Sequence, residues 1–276
     1  MKEQTEIIIK PSQGLSFNFQ ELWQYRELFY FFTWRDVKVK YKQTTLGLIW
    51  VILQPLLTVL VFSFFFGRAL KEQPIGLPYP LFVFSGLLTW TFFSTSINSA
   101  SSSMINQAGI IQKIYFPRLI IPVSSVLVSG IDFLIAFVVF IIVMISYQLP
   151  VDLVGILTYW PISFVVMACG TLGISCWLAA LTVKYRDFRY VTPFALQILL
   201  FLSPVIYPSS IVHNIWVEYL LALNPMYSVI SIFRIPFTGY PEHIYLLIIS
   251  ITSSIFFLIV GVYYFKRTED FFADIA

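Results

Sequence analysis

One carboxylate stands inside a long apolar run: Asp132, in "VLVSGIDFLIAFVV". An ionisable group at such depth is costly to keep and is therefore a candidate for function, proton relay being the chemistry it would serve. A relay needs a second acid or a basic partner, and the flanking sequence offers neither. Ser125 and Ser129 lie one or two turns earlier on the same helix face and are its expected hydrogen-bond partners, which makes Asp132 a structural group. A second concentration of charge is Arg35, Asp36, Lys38, Lys40 and Lys42, a basic collar followed by the uncharged run "LGLIWVILQPLLTVLVFSFFFG". The third pattern mixes rings with amides and hydroxyls at helical spacing. Trp90, Phe93, Ser94, Ile97, Asn98 and Ser101 form one stripe, Trp50, Gln54, Thr58 and Phe65 a second, and Gln197 with Phe201 a third. Amides and hydroxyls are costly against lipid, so these faces are expected to point inward. Rings that stack on sugar C–H faces, with amides to meet hydroxyls, suit a path for a hydrated polymer of low charge such as a glycan. The same residue types also serve plain helix packing.

Other chemistry is sparse. Cys169 and Cys176 are about 10 Å apart along one helix, too far for a disulfide, and read as small packing residues. His213 and His243 have no ligand cluster around them, so no metal site is expected. The sequence contains no G-x-x-x-x-G-K-[ST] phosphate loop, Gly-rich dinucleotide turn or G-x-S-x-G elbow. The chain is thus expected to bind no cofactor and to hydrolyse no ATP by itself. A membrane glycosyltransferase would need acidic clusters near a membrane face, and "KYRD", Lys184 to Asp187, offers a single acid.

The elements that must position these residues follow from composition. Of 276 residues, 58% are hydrophobic and 11% charged, against about 25% charged in soluble domains. So few charges cannot cover a globular surface, and the chain reads as an all-α integral membrane protein. Six apolar stretches have the length of membrane spans: roughly 46–70, 80–102, 119–147, 154–182, 192–207 and 243–265. The fifth is short and ends in "SPVIYPSS", where Pro204 and Pro208 break a helix. The segment after it, "IVHNIWVEYLLALNPMYSVISIFR", is apolar but interrupted by His213, Glu218, Asn224, Pro225 and Arg234. It reads as one or two short helices re-entering from the far side, a seventh span being the alternative. Residues 1–20 lack an apolar core, so no cleavable signal peptide is expected. In "FQELWQYRELFYFFTW" the side chains of Leu22, Tyr25, Phe29 and Phe32 share one face. That is the pattern of a helix in the membrane interface or of one packed on the protein's own core. The organisation is then an N-terminal segment with an interface helix (1–45), a six-span region (46–265) and a tail (266–276).

Lysine and arginine set the orientation, because cytoplasmic loops hold their excess. With the N-terminus inside, 14 of the 17 lie on the cytoplasmic side, leaving Arg68, Lys71 and Arg234 outside. Both termini are expected in the cytoplasm.

"YKQTTLGLIWVILQP", Tyr41 to Pro55, resembles the Y-x-Q-S/T-x-L-G-x-x-W-x-x-x-x-P signature at the first transmembrane helix of the type-2 ABC exporter permeases for cell-surface polysaccharides, the Wzm, KpsM and TagG group. "GLLTWTFF", "KIYFPRLIIPVSSVL", "VKYRDFRYVTPFALQILLFLSPVIYP", "LNPMYSVISIFR" and "FKRTEDFFADI" continue the likeness in order over about residues 20–276. Thr44 and Thr45 stand where members often carry serine. The resemblance implies a six-span permease that pairs with a second copy around a channel and binds no cofactor itself. ATP and Mg are handled by two copies of a separate ATP-binding subunit. It also implies a bacterial inner-membrane location and a lipid-linked polysaccharide substrate such as O-antigen, capsule or teichoic acid, with a drug or small-lipid permease as the alternative. On this reading Trp50, Gln54, Trp90, Phe93, Asn98, Gln197 and Phe201 are the candidate channel lining. Arg35, Lys38, Lys40, Lys42, Lys113 and Arg118 are the candidates for contact with the ATPase or with lipid headgroups. "SMINQAGIIQKIYFPR", Ser103 to Arg118, is the expected cytoplasmic docking loop.

Overall fold

The computed structural model describes residues 19–42, 47–67, 76–212, 214–239 and 243–269. Among them every element is helical. Thr44, Thr45, Arg68, Lys71, His213 and the tail from 270 onward lie outside the described residues.

Two helices open the chain, α1 (Phe19–Gln24) and α2 (Arg26–Lys42). The face carrying Leu22, Tyr25, Leu28, Phe29 and Phe32 packs on a cluster that includes Met104, Phe116, Ile120 and Phe265. The opposite side exposes Trp23, Tyr30, Phe31 and Trp34. The helix therefore packs on the protein's own core with the face that the spacing singled out, and keeps a second aromatic face outward.

The long apolar helices follow. They are α3 (Gly47–Phe66), α4 (Tyr79–Asn106), α6 (Ile120–Ser146), α7 (Leu153–Lys184) and α11 (Ile244–Thr268). Each is long and apolar enough to cross a membrane. A short helix, α5 (Ala108–Ile111), sits between α4 and α6 inside the expected docking loop. Pro at the start of α4 suits its first turn, where the missing N–H has no partner to lose.

The fifth expected span, 192–207, takes a different form. Its helix, α8 (Phe188–Phe201), starts earlier and rises only about 21 Å, short of a hydrocarbon layer of about 30 Å. Pro204 stops it, because the residue before a proline is pushed out of helical geometry. From Ser203 to Ile206 the chain continues as buried, non-helical backbone. Such backbone is tolerated in an apolar interior only where its polar groups find partners. Arg234 supplies them. Buried at 6% exposure, it donates from Nη1 to the Pro204 carbonyl (2.7 Å) and from Nη2 to those of Val205 (3.0 Å) and Phe82 (2.8 Å). Its Nε reaches Ser85 Oγ at 3.0 Å, and the guanidinium lies 3.5 Å from the Phe82 ring centroid.

The segment expected to form one or two short helices forms two, α9 (Ile215–Ala222) and α10 (Pro225–Thr238), bent by 94°. The bend is written in "NP". Asn224 caps α10 by accepting from Met226 N at 3.0 Å, Pro225 occupies the first turn, and Asn224 Nδ2 also holds Ser203 Oγ at 2.7 Å. α10 is almost wholly buried and packs on α7. There Trp160 stacks on Phe233 with ring centroids 5.0 Å apart and donates to the Phe233 carbonyl.

α7 and α11 cross more closely than any side chain would permit. A Cβ on Gly261 would lie 1.9 Å from the Gly173 carbonyl oxygen, and one on Gly173 would lie 2.4 Å from the backbone at Phe257 and Leu258. This is small-residue packing, which in lipid replaces the hydrophobic driving force between helices. Cys176 is buried in the same region of α7, and Cys169, two turns earlier on the same side of the helix, is half-buried.

Candidate functional site

The carboxylate that the sequence left without a charged partner has one. Lys40 Nζ, at the C-terminal end of α2, donates to Asp132 Oδ2, and the adjacent Tyr41 hydroxyl donates to Oδ1. The expected serine partners are elsewhere engaged. Ser125 Oγ donates to the Ile121 carbonyl (3.2 Å) and Ser129 Oγ to that of Ser125 (3.3 Å), the back-bonding natural to a hydroxyl within a helix. The physical reason for the correction is that α2 packs against α6 and carries Lys40 to a depth at which a carboxylate needs a counter-charge. Burial and the bond to Asp132 push the Tyr41 phenol above its ordinary pKa, so it stays a donor.

Around this triad lies a cavity of about 420 Å³, walled by α2, α3, α4 and α6. Its lining includes Trp50, Gln54 and Thr58 from α3, Thr91 and Thr95 from α4, and Ser129 and Asp132 from α6. α3 forms its loosest wall: among its described residues only Val59 is buried. Of the α3 stripe, Trp50, Gln54 and Thr58 line this cavity, although Trp50 is itself 52% exposed, and Phe65 lies away from it at 64%.

The remaining lining candidates separate by position. Trp90 and Phe93 are in the packed core, at 5% and 1% exposure, with rings 5.4 Å apart. Asn98 is half-buried on α4. Gln197 and Phe201 are exposed on α8, Phe201 at 65%. The structure thus joins Trp50 and Gln54 in one cavity and brings none of the other five to it.

The basic candidates separate too. Arg35 is bound to its neighbour Asp36 (2.7 Å) and rests over the Phe32 ring. Arg118 is tied to the end of α11, its guanidinium donating to the Glu269 carbonyl and its backbone N–H to Glu269 Oε1 at 3.1 Å. Lys38, Lys42 and Lys113 are exposed, the last beside exposed Ile114 and Tyr115. Sequence reasoning missed Tyr41, Thr91 and Thr95 as site residues and Glu269 as the partner of Arg118. Tyr41 lies 91 residues from Asp132 and Glu269 lies 151 from Arg118, with no local spacing to announce either pairing.

Among the described residues, five long apolar helices, the shorter α8 and the bent pair α9–α10 define a multi-pass membrane protein. Residues 27–238 match the family described as ABC-2 type transporter, and the chain belongs to that family. It is 30% identical over 217 residues to the O-antigen export system permease protein RfbA of Myxococcus xanthus, covering 78% of this chain and 82% of the relative. Against the protein of the same name from Klebsiella pneumoniae it is 30% identical over 244 residues, covering 87% and 92%. More distantly, it is 22% identical to the polysialic acid transport protein KpsM of Escherichia coli over 72% of this chain and 77% of that one.

Proposed function

We propose that this chain is the permease subunit of an ABC exporter that carries a lipid-linked polysaccharide of the O-antigen kind across the bacterial cytoplasmic membrane. The observation that carries the reading is the likeness to O-antigen export permeases over 87% of the chain. Two copies form the path, with both termini in the cytoplasm, and separate ATP-binding subunits bind ATP and Mg and drive transport. Exposed Lys113, Ile114 and Tyr115, next to α5, are the surface offered to that subunit. Arg118, held by Glu269, braces the loop from behind rather than reaching out.

The test is genetic and biochemical together. Deleting the gene should remove the surface polysaccharide, and restoring it should bring the polymer back. Purified permease should show no ATPase activity until its ATP-binding partner is added, and Lys113→Glu should weaken that association at least several-fold. A deletion strain with normal surface glycan but altered drug resistance would point to a small-molecule permease instead.

A further inference from the structure

The cavity between α2, α3, α4 and α6 has a chemistry of its own. At about 420 Å³ it falls near the lower end of the roughly 300–1,000 Å³ of small-molecule sites, so it holds a short unit and not a polymer strand. Its charges cancel, because Lys40 is spent on Asp132. A phosphate or pyrophosphate would meet the Asp132 carboxylate without a surplus cation to offset it. The polar groups that remain are those a neutral polyol needs. Thr58 and Thr95 donate to the carbonyls of Gln54 (2.8 Å) and Thr91 (2.7 Å), which leaves their oxygen lone pairs as acceptors. Asp132, whose carboxylate has about four acceptor positions, keeps capacity beyond Lys40 and Tyr41. The Gln54 amide and the Trp50 indole add donors, and the Trp50 ring adds a flat face. One aromatic face, an amide, hydroxyl acceptors and a fixed carboxylate make a saccharide site.

We propose that this cavity binds one or two neutral sugar units carried on a lipid anchor, Trp50 stacking on the ring and Asp132, held in place by Lys40 and Tyr41, accepting from its hydroxyls. The assignment rests on the polysaccharide reading above and gives it a docking place within each single copy. The loose wall made by α3 is the side from which a lipid-borne ligand enters.

The experiment uses the full chain in phosphatidylcholine vesicles, with Cys169→Ala and Cys176→Ala as background and Thr95→Cys as the reporter. The rate of its modification by a small neutral thiol reagent is measured in vesicles doped with diglucosyl-diacylglycerol or with phosphatidylglycerol. Several-fold slower labelling with the glucosyl lipid only, abolished by adding Trp50→Ala, is the expected result. Equal protection by both lipids makes the cavity an acyl-chain groove, and protection by neither makes it no ligand site; each overturns the proposal. Thr91→Trp, which fills the cavity without emptying a packed site, is then assayed for surface glycan and partner-stimulated ATPase in a folded protein. Loss of export with the fold intact assigns the sugar to the cargo. Unchanged export with sugar protection still seen in the vesicles assigns it to a resident glycolipid, and overturns the cargo assignment. In either case the exporter reading stands or falls separately, on the deletion phenotype.

Discussion

Asp132 and Arg234 are the two charges placed deepest in the apolar helices, and they are handled in opposite ways. Asp132 is matched by a cation that comes from outside the spans and is itself 45% exposed, while the carboxylate is 19% exposed. The pair's two halves are therefore not equivalent. Lys40 can swing outward along its flexible stem when its partner is lost, whereas Asp132 cannot leave its helix. Lys40→Met should thus destabilise the purified protein more than Asp132→Asn, by roughly 1–3 kcal/mol for the former, between the values for exposed and buried pairs. Thermal unfolding in detergent reads this out, and equal losses would show that the ion pair is not what holds α2 to α6. The exchange Lys40→Asp with Asp132→Lys should recover part of the loss. Arg234 instead closes a defect in the backbone. It satisfies carbonyls that the break at Pro204 has left without helical donors, using the forked geometry that an ammonium does not have. Arg234→Leu strands several buried carbonyls at about 1–3 kcal/mol each, so little folded protein should be recovered. Arg234→Lys should be intermediate, and a lysine variant as stable as the parent would refute the bracing role.

At the scale of elements, the period and length of the apolar runs were enough to place the helices. α4, α6, α7 and α11 end within about four residues of the stretches read from sequence, because each is bounded by Pro, Gly or charge. The "NP" corner between α9 and α10 was legible for the same reason: Asn caps and Pro opens a helix. What was not legible came from pairings across the chain. Nothing near Asp132 signals Lys40, 92 residues away, and nothing near Pro204 signals Arg234. The ring and amide stripes were legible as helix faces but not as destinations, since the same residue type means packed core for Trp90 and the exposed wall of a cavity for Trp50. Glycine offers a sharper case, where the sequence shows the small residue but not what it meets. Gly261→Leu must force α11 off α7, since even the first side-chain carbon lands 1.9 Å from a carbonyl oxygen. Overpacking typically costs about 1–3 kcal/mol, and a backbone clash belongs at the top of that range or above. The variant should insert but fail to yield a monodisperse protein, whereas Gly109→Ala, whose Cβ meets nothing within 4 Å, should behave as the parent.

Across the whole molecule, the packing is uneven in a way that bears on transport. α6, α7 and α10 share a packed aromatic core, with Phe133, Phe137, Trp160, Phe164 and Phe233 linked by ring contacts. By contrast, α3 and α8 leave large aromatic side chains outside it, Phe64, Phe65, Phe194 and Phe201 among them. On the exporter reading, a long glycan slides past surfaces that hold it weakly at many places, and only exposed rings can offer such surfaces. Ring contacts are worth about 0.5–1.5 kcal/mol each, so removing one should slow export modestly and removing several should stop it. The exposed set, Trp50 and Phe201 with Gln54 and Gln197, is expected to follow that pattern while the protein stays folded. Trp90→Ala and Phe93→Ala, which empty core positions at a cost of about 3–5 kcal/mol, should lose export together with the fold. Surface glycan, folded yield and ATPase stimulation are measured in parallel on single and combined alanine variants. If Trp50→Ala and Phe201→Ala in combination leave export at the parent rate, the exposed rings of α3 and α8 are lipid-facing and the glycan travels elsewhere.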